Sequence, residues 1–155
     1  MTASAHILIV EAPYYQAISE ELAAGAIAAL DAAGVRYDRL TVPGAFEIPA
    51  AIAIAAGLTP PGAVPALRYD GYLALGCVIR GETTHYDYVC GESARGLQDL
   101  ALHHGLAIGF GILTVENEKQ AWARARRSEK DKGGEVARAC LAMVQLKARF
   151  AGGGS

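Results

Sequence analysis

The sequence lacks the motifs that mark several large functional classes. It has no GxGxxG and no GxxxxGK[ST], which excludes the usual dinucleotide and P-loop cradles. It has no HExxH and no CxxC, so His85, His103 and His104 lack metal-ligand spacing and no cysteine pair offers a zinc knuckle. The absence of GxSxG removes the serine nucleophile elbow. No metal site is expected. Charge of one sign is also missing: 14 Lys and Arg against 16 Asp and Glu leave a net charge of −2, so no basic field invites nucleic acid or an anionic membrane. The one basic cluster, Arg124, Arg126, Arg127, Lys130 and Lys132, is interrupted by Glu129 and Asp131 and reads most simply as a solvated helix end.

Cysteine is scarce. Cys77, Cys90 and Cys140 make an odd count with no pairing pattern, which predicts reduced, buried thiols in a cytoplasmic protein. No basic segment followed by a long apolar core opens the chain, so no secretory leader is expected. No apolar run is long enough to span a bilayer.

What is present is a globular composition, 52% hydrophobic and 19% charged over 155 residues. This predicts one domain over residues 1–150 with a substantial core, followed by a flexible Gly/Ser tail at 151–155. His6 to Val10 is a continuous apolar run, as expected of a strand buried on both faces. Ile18, Leu22, Ala26, Ile27 and Leu30 recur at helical spacing until Gly34. Val35 to Val42 reads as a second strand ended by Pro43-Gly44, and Ile48 to Ala56 as a short helix. A stiff loop with three prolines covers 59–65. Tyr72 to Ile79 is the third strand, followed by a helix from about Asp87 to His104 that Gly105 ends. Leu106 to Thr114 is the fourth strand, and Asn117 with Gln120 marks another helix start. Val136, Cys140, Met143, Val144 and Phe150 line a last amphipathic helix. Strict alternation of this kind implies an α/β fold with a parallel sheet covered on both faces.

Ligands in such sheets collect beyond the carboxyl ends of the strands. Four segments qualify: 11–15, 43–47, 79–85 and Thr114. Arg80-Gly81-Glu82-Thr83-Thr84-His85 has glycine, hydroxyls, backbone donors leading into a helix, and a histidine able to move protons near neutral pH. The plainer alternative is a helix-capping segment, with Thr84 or His85 tying down N–H groups. Phe46 offers a flat face and Glu47 a hydrogen-bond acceptor, unless the segment is only a turn with a solvated glutamate. Tyr14 and Tyr15 either stack a planar heterocycle or merely cover the sheet end. Phe110, inside the fourth strand, reads as core. Cys77, inside the third, reads as an inert thiol rather than a nucleophile partnered by His85.

Val42 through Pro49, Gly76 through Val89, Gly111 through Asn117 and Asp131-Lys132-Gly133 together resemble the 6,7-dimethyl-8-ribityllumazine synthases, in that family's order and spacing from Ile7 to about Phe150. The resemblance implies a flavodoxin-like three-layer αβα sandwich with a four-stranded parallel sheet. It implies a transferase of riboflavin biosynthesis that needs no cofactor and no metal. The enzyme would condense 5-amino-6-(D-ribitylamino)uracil with 3,4-dihydroxy-2-butanone 4-phosphate, releasing 6,7-dimethyl-8-ribityllumazine, phosphate and water. By the same resemblance Tyr14 stacks on the pyrimidine, and Ala45, Phe46, Glu47, Cys77, Val78 and Ile79 bind the ribitylaminouracil. Phe110 closes that subsite from a neighbouring subunit. Glu82 and Thr83 hold the butanone phosphate, Arg124 pairs with it across the interface, Lys132 lies close by, and His85 carries protons.

Three segments depart from the family pattern: Pro13-Tyr14-Tyr15 where many relatives have arginine-phenylalanine, a long proline-rich loop from Gly57 to Tyr69, and Arg126 to Asp131 in place of a small glycine-containing link. The last predicts a homopentamer, or a pair of pentamers, with active sites at subunit interfaces rather than a sixty-subunit shell. The partners expected are therefore small-molecule substrates and further copies of the chain. Two readings from other classes compete, a non-catalytic flavin- or lumazine-binding protein and a structural assembly protein. Neither requires Arg124, Lys132 and His85 together.

Overall fold

The computed structural model describes residues 5–65 and 67–152. Strand and helix alternate along the chain: β1 (His6–Ala12), α1 (Gln16–Ala33), β2 (Arg36–Thr41), a short 3-10 turn (Ala45–Glu47) running into α2 (Ile48–Ala55), β3 (Gly71–Ile79), α3 (His85–His104), β4 (Ile108–Val115), α4 (Glu118–Ala125) and α5 (Lys132–Phe150). The strands are all parallel, in the order β2-β1-β3-β4.

Side chains alternate across a strand, and here the alternation sorts two cores. Ile7, Ile9, Leu73, Leu75, Cys77, Leu113 and Val115 pack against α1, α4 and α5. Leu8, Val10, Ala12, Tyr72, Ala74 and Ile112 pack against α2 and α3. The result is the expected three-layer αβα sandwich. Ile7, Ile9, Leu22 and Leu73 are fully buried, each favouring the folded state by about 2 kcal/mol relative to exposure. No helix among the described residues is long and apolar enough to cross a membrane.

Local chemistry sets most boundaries as expected. Gly34 and Gly105 end α1 and α3 in the left-handed conformation, with φ 70 and 66, where a Cβ would be strained. The Asn117 side chain accepts the Gln120 backbone N–H at 2.9 Å and starts α4. Helix α3 begins at His85, two residues before the expected Asp87. The Thr83 hydroxyl oxygen accepts the His85 N–H at 3.3 Å, and the Thr84 carbonyl accepts that of Asp87 at 3.0 Å. β4 begins at Ile108 rather than Leu106, because the Leu106 N–H turns back to the Leu100 carbonyl and belongs to the end of α3.

Two further expectations change. Cys77 and Cys140 are buried, but Cys90 is only half-buried on α3. Phe110 is not core: its neighbours Gly109 and Gly111 face α5, so it points the other way on the edge strand and stays 46% exposed. At the opposite edge, β2 is held by its ladder and by Arg39, whose fork donates to buried Glu11 at 2.7 and 2.8 Å. That paired geometry compensates the burial of the carboxylate. Of the Gly/Ser tail, residues 153–155 lie outside those described.

Candidate active site

β1 and β2 are consecutive neighbours, while β3 sits on the other side of β1. The chain therefore reverses its direction across the sheet at β1. Loops leaving β1 and β3 diverge there, and a crevice opens beyond their carboxyl ends. A cavity of about 580 Å³ occupies that position. Its walls are Ala12, Tyr14 and Tyr15 after β1, residues 43–47 after β2, Cys77, Val78 and Ile79 at the end of β3, and His85, Tyr88 and Val89 on the first turns of α3.

The wall is mostly apolar with a few polar groups. Tyr14, Phe46 and Tyr88 are 76%, 54% and 66% exposed, so three aromatic rings border the opening with free faces suited to a planar ring. Tyr14 is propped edge-on against Tyr15, with ring centroids 4.9 Å apart. Glu47 brings the one carboxylate found on the wall among the described residues, an acceptor for hydroxyl or N–H groups. His85 brings the imidazole. Burial pushes the Cys77 thiol up to about 11, so at neutral pH it is a protonated group that adds shape, not a nucleophile.

Eight of the anticipated site residues thus meet around one space: Tyr14, Ala45, Phe46, Glu47, Cys77, Val78, Ile79 and His85. Three of the four anticipated strand ends converge there; Thr114, at the end of β4, is not on the wall. Glu82 and Thr83 lie exposed on the loop beside His85. Thr83, not Thr84 or His85, supplies the side-chain acceptor that ties this loop to α3.

Phe110, Arg124 and Lys132 are not on the wall either. Phe110 stands opposite Ala74 on the edge strand. Arg124, on α4, donates to the Gln120 carbonyl at 3.0 Å. Lys132, at the start of α5, pairs with Glu135 at 3.0 Å. All three belong to the β4–α4–α5 part of the chain.

Sequence reasoning missed Tyr88 and Val89. Their signal was available: they lie three and four positions beyond His85, on the same helical face. Among the described residues no group of three or more His, Cys, Asp or Glu side chains is placed to hold a metal ion.

A family profile described as 6,7-dimethyl-8-ribityllumazine synthase matches residues 4–148. The chain is 60% identical over 145 residues to 6,7-dimethyl-8-ribityllumazine synthase 1 of Rhizobium meliloti, covering 94% of this chain and 93% of that protein. It is 59% identical over 145 residues to the 6,7-dimethyl-8-ribityllumazine synthase of Bartonella bacilliformis, with 94% and 91% covered. It is 56% identical over 146 residues to the Sphingopyxis alaskensis protein of that name, with 94% and 97% covered. The matched span contains every strand end that walls the cavity as well as Phe110, Arg124 and Lys132, and with it the chain belongs to the 6,7-dimethyl-8-ribityllumazine synthase family.

Proposed function

We propose that this cavity is where the chain condenses 5-amino-6-(D-ribitylamino)uracil with 3,4-dihydroxy-2-butanone 4-phosphate to give 6,7-dimethyl-8-ribityllumazine, phosphate and water. The observation that carries this reading is the gathering of Tyr14, Phe46, Glu47, Cys77 to Ile79 and His85 around one crevice at the sheet's switch point. Tyr14 and Phe46 hold the pyrimidine by its faces. Ala45 and the Cys77-Val78-Ile79 edge meet its polar rim through backbone groups, and Glu47 accepts from the ribityl hydroxyls.

Phosphate binds on the loop before α3. A 20-residue helix presents its positive end there. Thr83 accepts from the His85 N–H, which leaves its own hydroxyl proton free to donate to a phosphate oxygen. His85 follows directly, between the phosphate loop and the pyrimidine slot.

The amine of one substrate attacks the ketone of the other, and water leaves to form an imine. Phosphate is then eliminated, the resulting enol rearranges, and the second nitrogen closes the ring with loss of water. Each step moves a proton, and one imidazole serves several of them in turn. Holding both substrates in register supplies much of the remaining acceleration.

We further propose that the working unit is a homopentamer, or a pair of pentamers, with each cavity completed by a neighbour's Phe110, Arg124 and Lys132. Support comes from their position: within one chain none of the three reaches the cavity wall, while Phe110 keeps an exposed face. The link from α4 to α5 is a closed turn of its own. Asp131 adopts φ 44 and accepts the Gly134 N–H, and Arg127 donates its backbone N–H to Glu21. We place the protein in the cytoplasm, the reducing compartment in which three free thiols persist.

The binding half of this reading is tested by titrating the ribitylaminouracil substrate into labelled protein and following backbone amide resonances. Shifts concentrated at 45–47 and 77–79 are expected. Shifts confined to the opposite end of the sheet, around Tyr69 and Lys147, would contradict it.

A further inference from the structure

We propose that Arg80 is a positioning residue, whose side chain closes the phosphate-gripping loop 81–84 and so fixes His85 in place. The inference rests on the function proposed above. Arg80 is the last residue before the loop, and its backbone N–H is anchored to the Val115 carbonyl at 3.0 Å. Its guanidinium reaches to the far side of the loop. It lies over the Tyr86 ring at 4.3 Å from the centroid and approaches the Asp87 carboxylate at 3.5 Å. Nε donates to Glu116 at 2.8 Å, just past the end of β4. Tyr86 and Asp87 are the second and third residues of α3. One side chain therefore joins the two ends of the loop and moors both to β4.

Within the loop, the His85 N–H donates to the Thr83 hydroxyl and the Asp87 N–H to the Thr84 carbonyl, but both bonds are local to the start of α3 and neither reaches the sheet. Residues 80–85 are exposed, a Cβ on Gly81 would meet nothing within 4 Å, and the N-cap of α3, Thr84, makes no side-chain cap. Packing does not hold the segment, and the planar fork of Arg80 supplies the tie from its far end back to the sheet. A direct electrostatic role for Arg80 fits less well. Two carboxylates face one guanidinium, so the trio carries a formal charge of −1 and offers a phosphate little net attraction. The pair with Glu116 is exposed, and such pairs contribute little to global stability. Its loss is therefore felt at the loop and not in the fold.

The test is steady-state kinetics on the intact protein with each substrate varied in turn, for Arg80→Ala and Glu116→Ala, with thermal melts to check folding. Arg80→Ala is expected to raise KM for the phosphate-bearing ketone by about tenfold, with KM for the ribitylaminouracil changed by less than about twofold; misplacement of a binding group carries penalties of this order. Glu116→Ala should move the ketone KM in the same direction by a smaller factor. The signs separate the two roles: if Arg80 instead attracted phosphate by its charge, removing Glu116 would unmask that charge and lower the ketone KM. A lowered KM in Glu116→Ala, or an unchanged ketone KM in a folded Arg80→Ala, overturns the inference while leaving the proposed function standing. Wild-type protein that forms no lumazine removes the proposed function and this inference together.

Discussion

The Thr83 hydroxyl oxygen accepts the backbone N–H of His85 at 3.3 Å, coupling the loop assigned to phosphate with the residue assigned to proton transfer. The bond lies at the start of α3, whose first residue, His85, lines the cavity beside Tyr88 on the next turn. His85 is exposed and contributes to neither core, so it can be removed without disturbing packing. His85→Ala should lower kcat by roughly tenfold to a thousandfold, within or just below the usual range for general acid–base catalysis, with an unchanged melting temperature. An unaltered rate removes His85 from the mechanism.

Cys77 gives a prediction in pH. Burial disfavours its thiolate and pushes the thiol from 9.0 up to about 11. Below that value the group is protonated, and at pH 8 only about one molecule in a thousand carries the reactive form. Alkylation by iodoacetamide, followed by peptide mass spectrometry, should label Cys77 at pH 8 at least about 100-fold more slowly than free cysteine. The rate should climb about tenfold per pH unit up to pH 11. Rapid labelling at pH 8 would restore the alternative in which Cys77 and His85 form a nucleophile pair.

Stability should hinge on one contact between helices, made by residues that do not line the cavity. At Gly133, in the first turn of α5, an added Cβ would collide with the Leu22 carbonyl of α1 and come within 3.0 Å of the Ala26 nitrogen. Backbone cannot yield as a flexible side chain can, so Gly133→Ala must part the two helices. The expected cost is about 3 kcal/mol, at the upper end of ordinary overpacking, read as a lower urea midpoint with an unchanged m-value. Gly81→Ala, where a Cβ meets open space, should change the unfolding free energy by less than about 0.5 kcal/mol.

The sheet and the strand-end site were legible in the sequence because each was written in local chemistry. β1 and β3 are continuous apolar runs because both faces of a central strand are covered. Gly34 and Gly105 mark helix ends because the backbone there is left-handed. Pro43 to Glu47 and Cys77 to Ile79 could be singled out because a parallel sheet has one functional end. The less visible features depend on partners distant in sequence. Phe110 looks like core until Gly109 and Gly111 are seen to admit α5 on the opposite face. Arg80 heads the segment singled out in the sequence, but its mooring could not be read there, since Glu116 comes within reach only after β4 has paired with β3.

The central claim is catalytic, and one rate tests it most directly. The two substrates are mixed with and without protein at neutral pH, and lumazine formation is followed by its fluorescence. The proposed function predicts protein-dependent acceleration that saturates in both substrates and collapses in His85→Ala. Lumazine appearing at the same rate with and without protein would contradict it and leave a protein that binds the ring without making it.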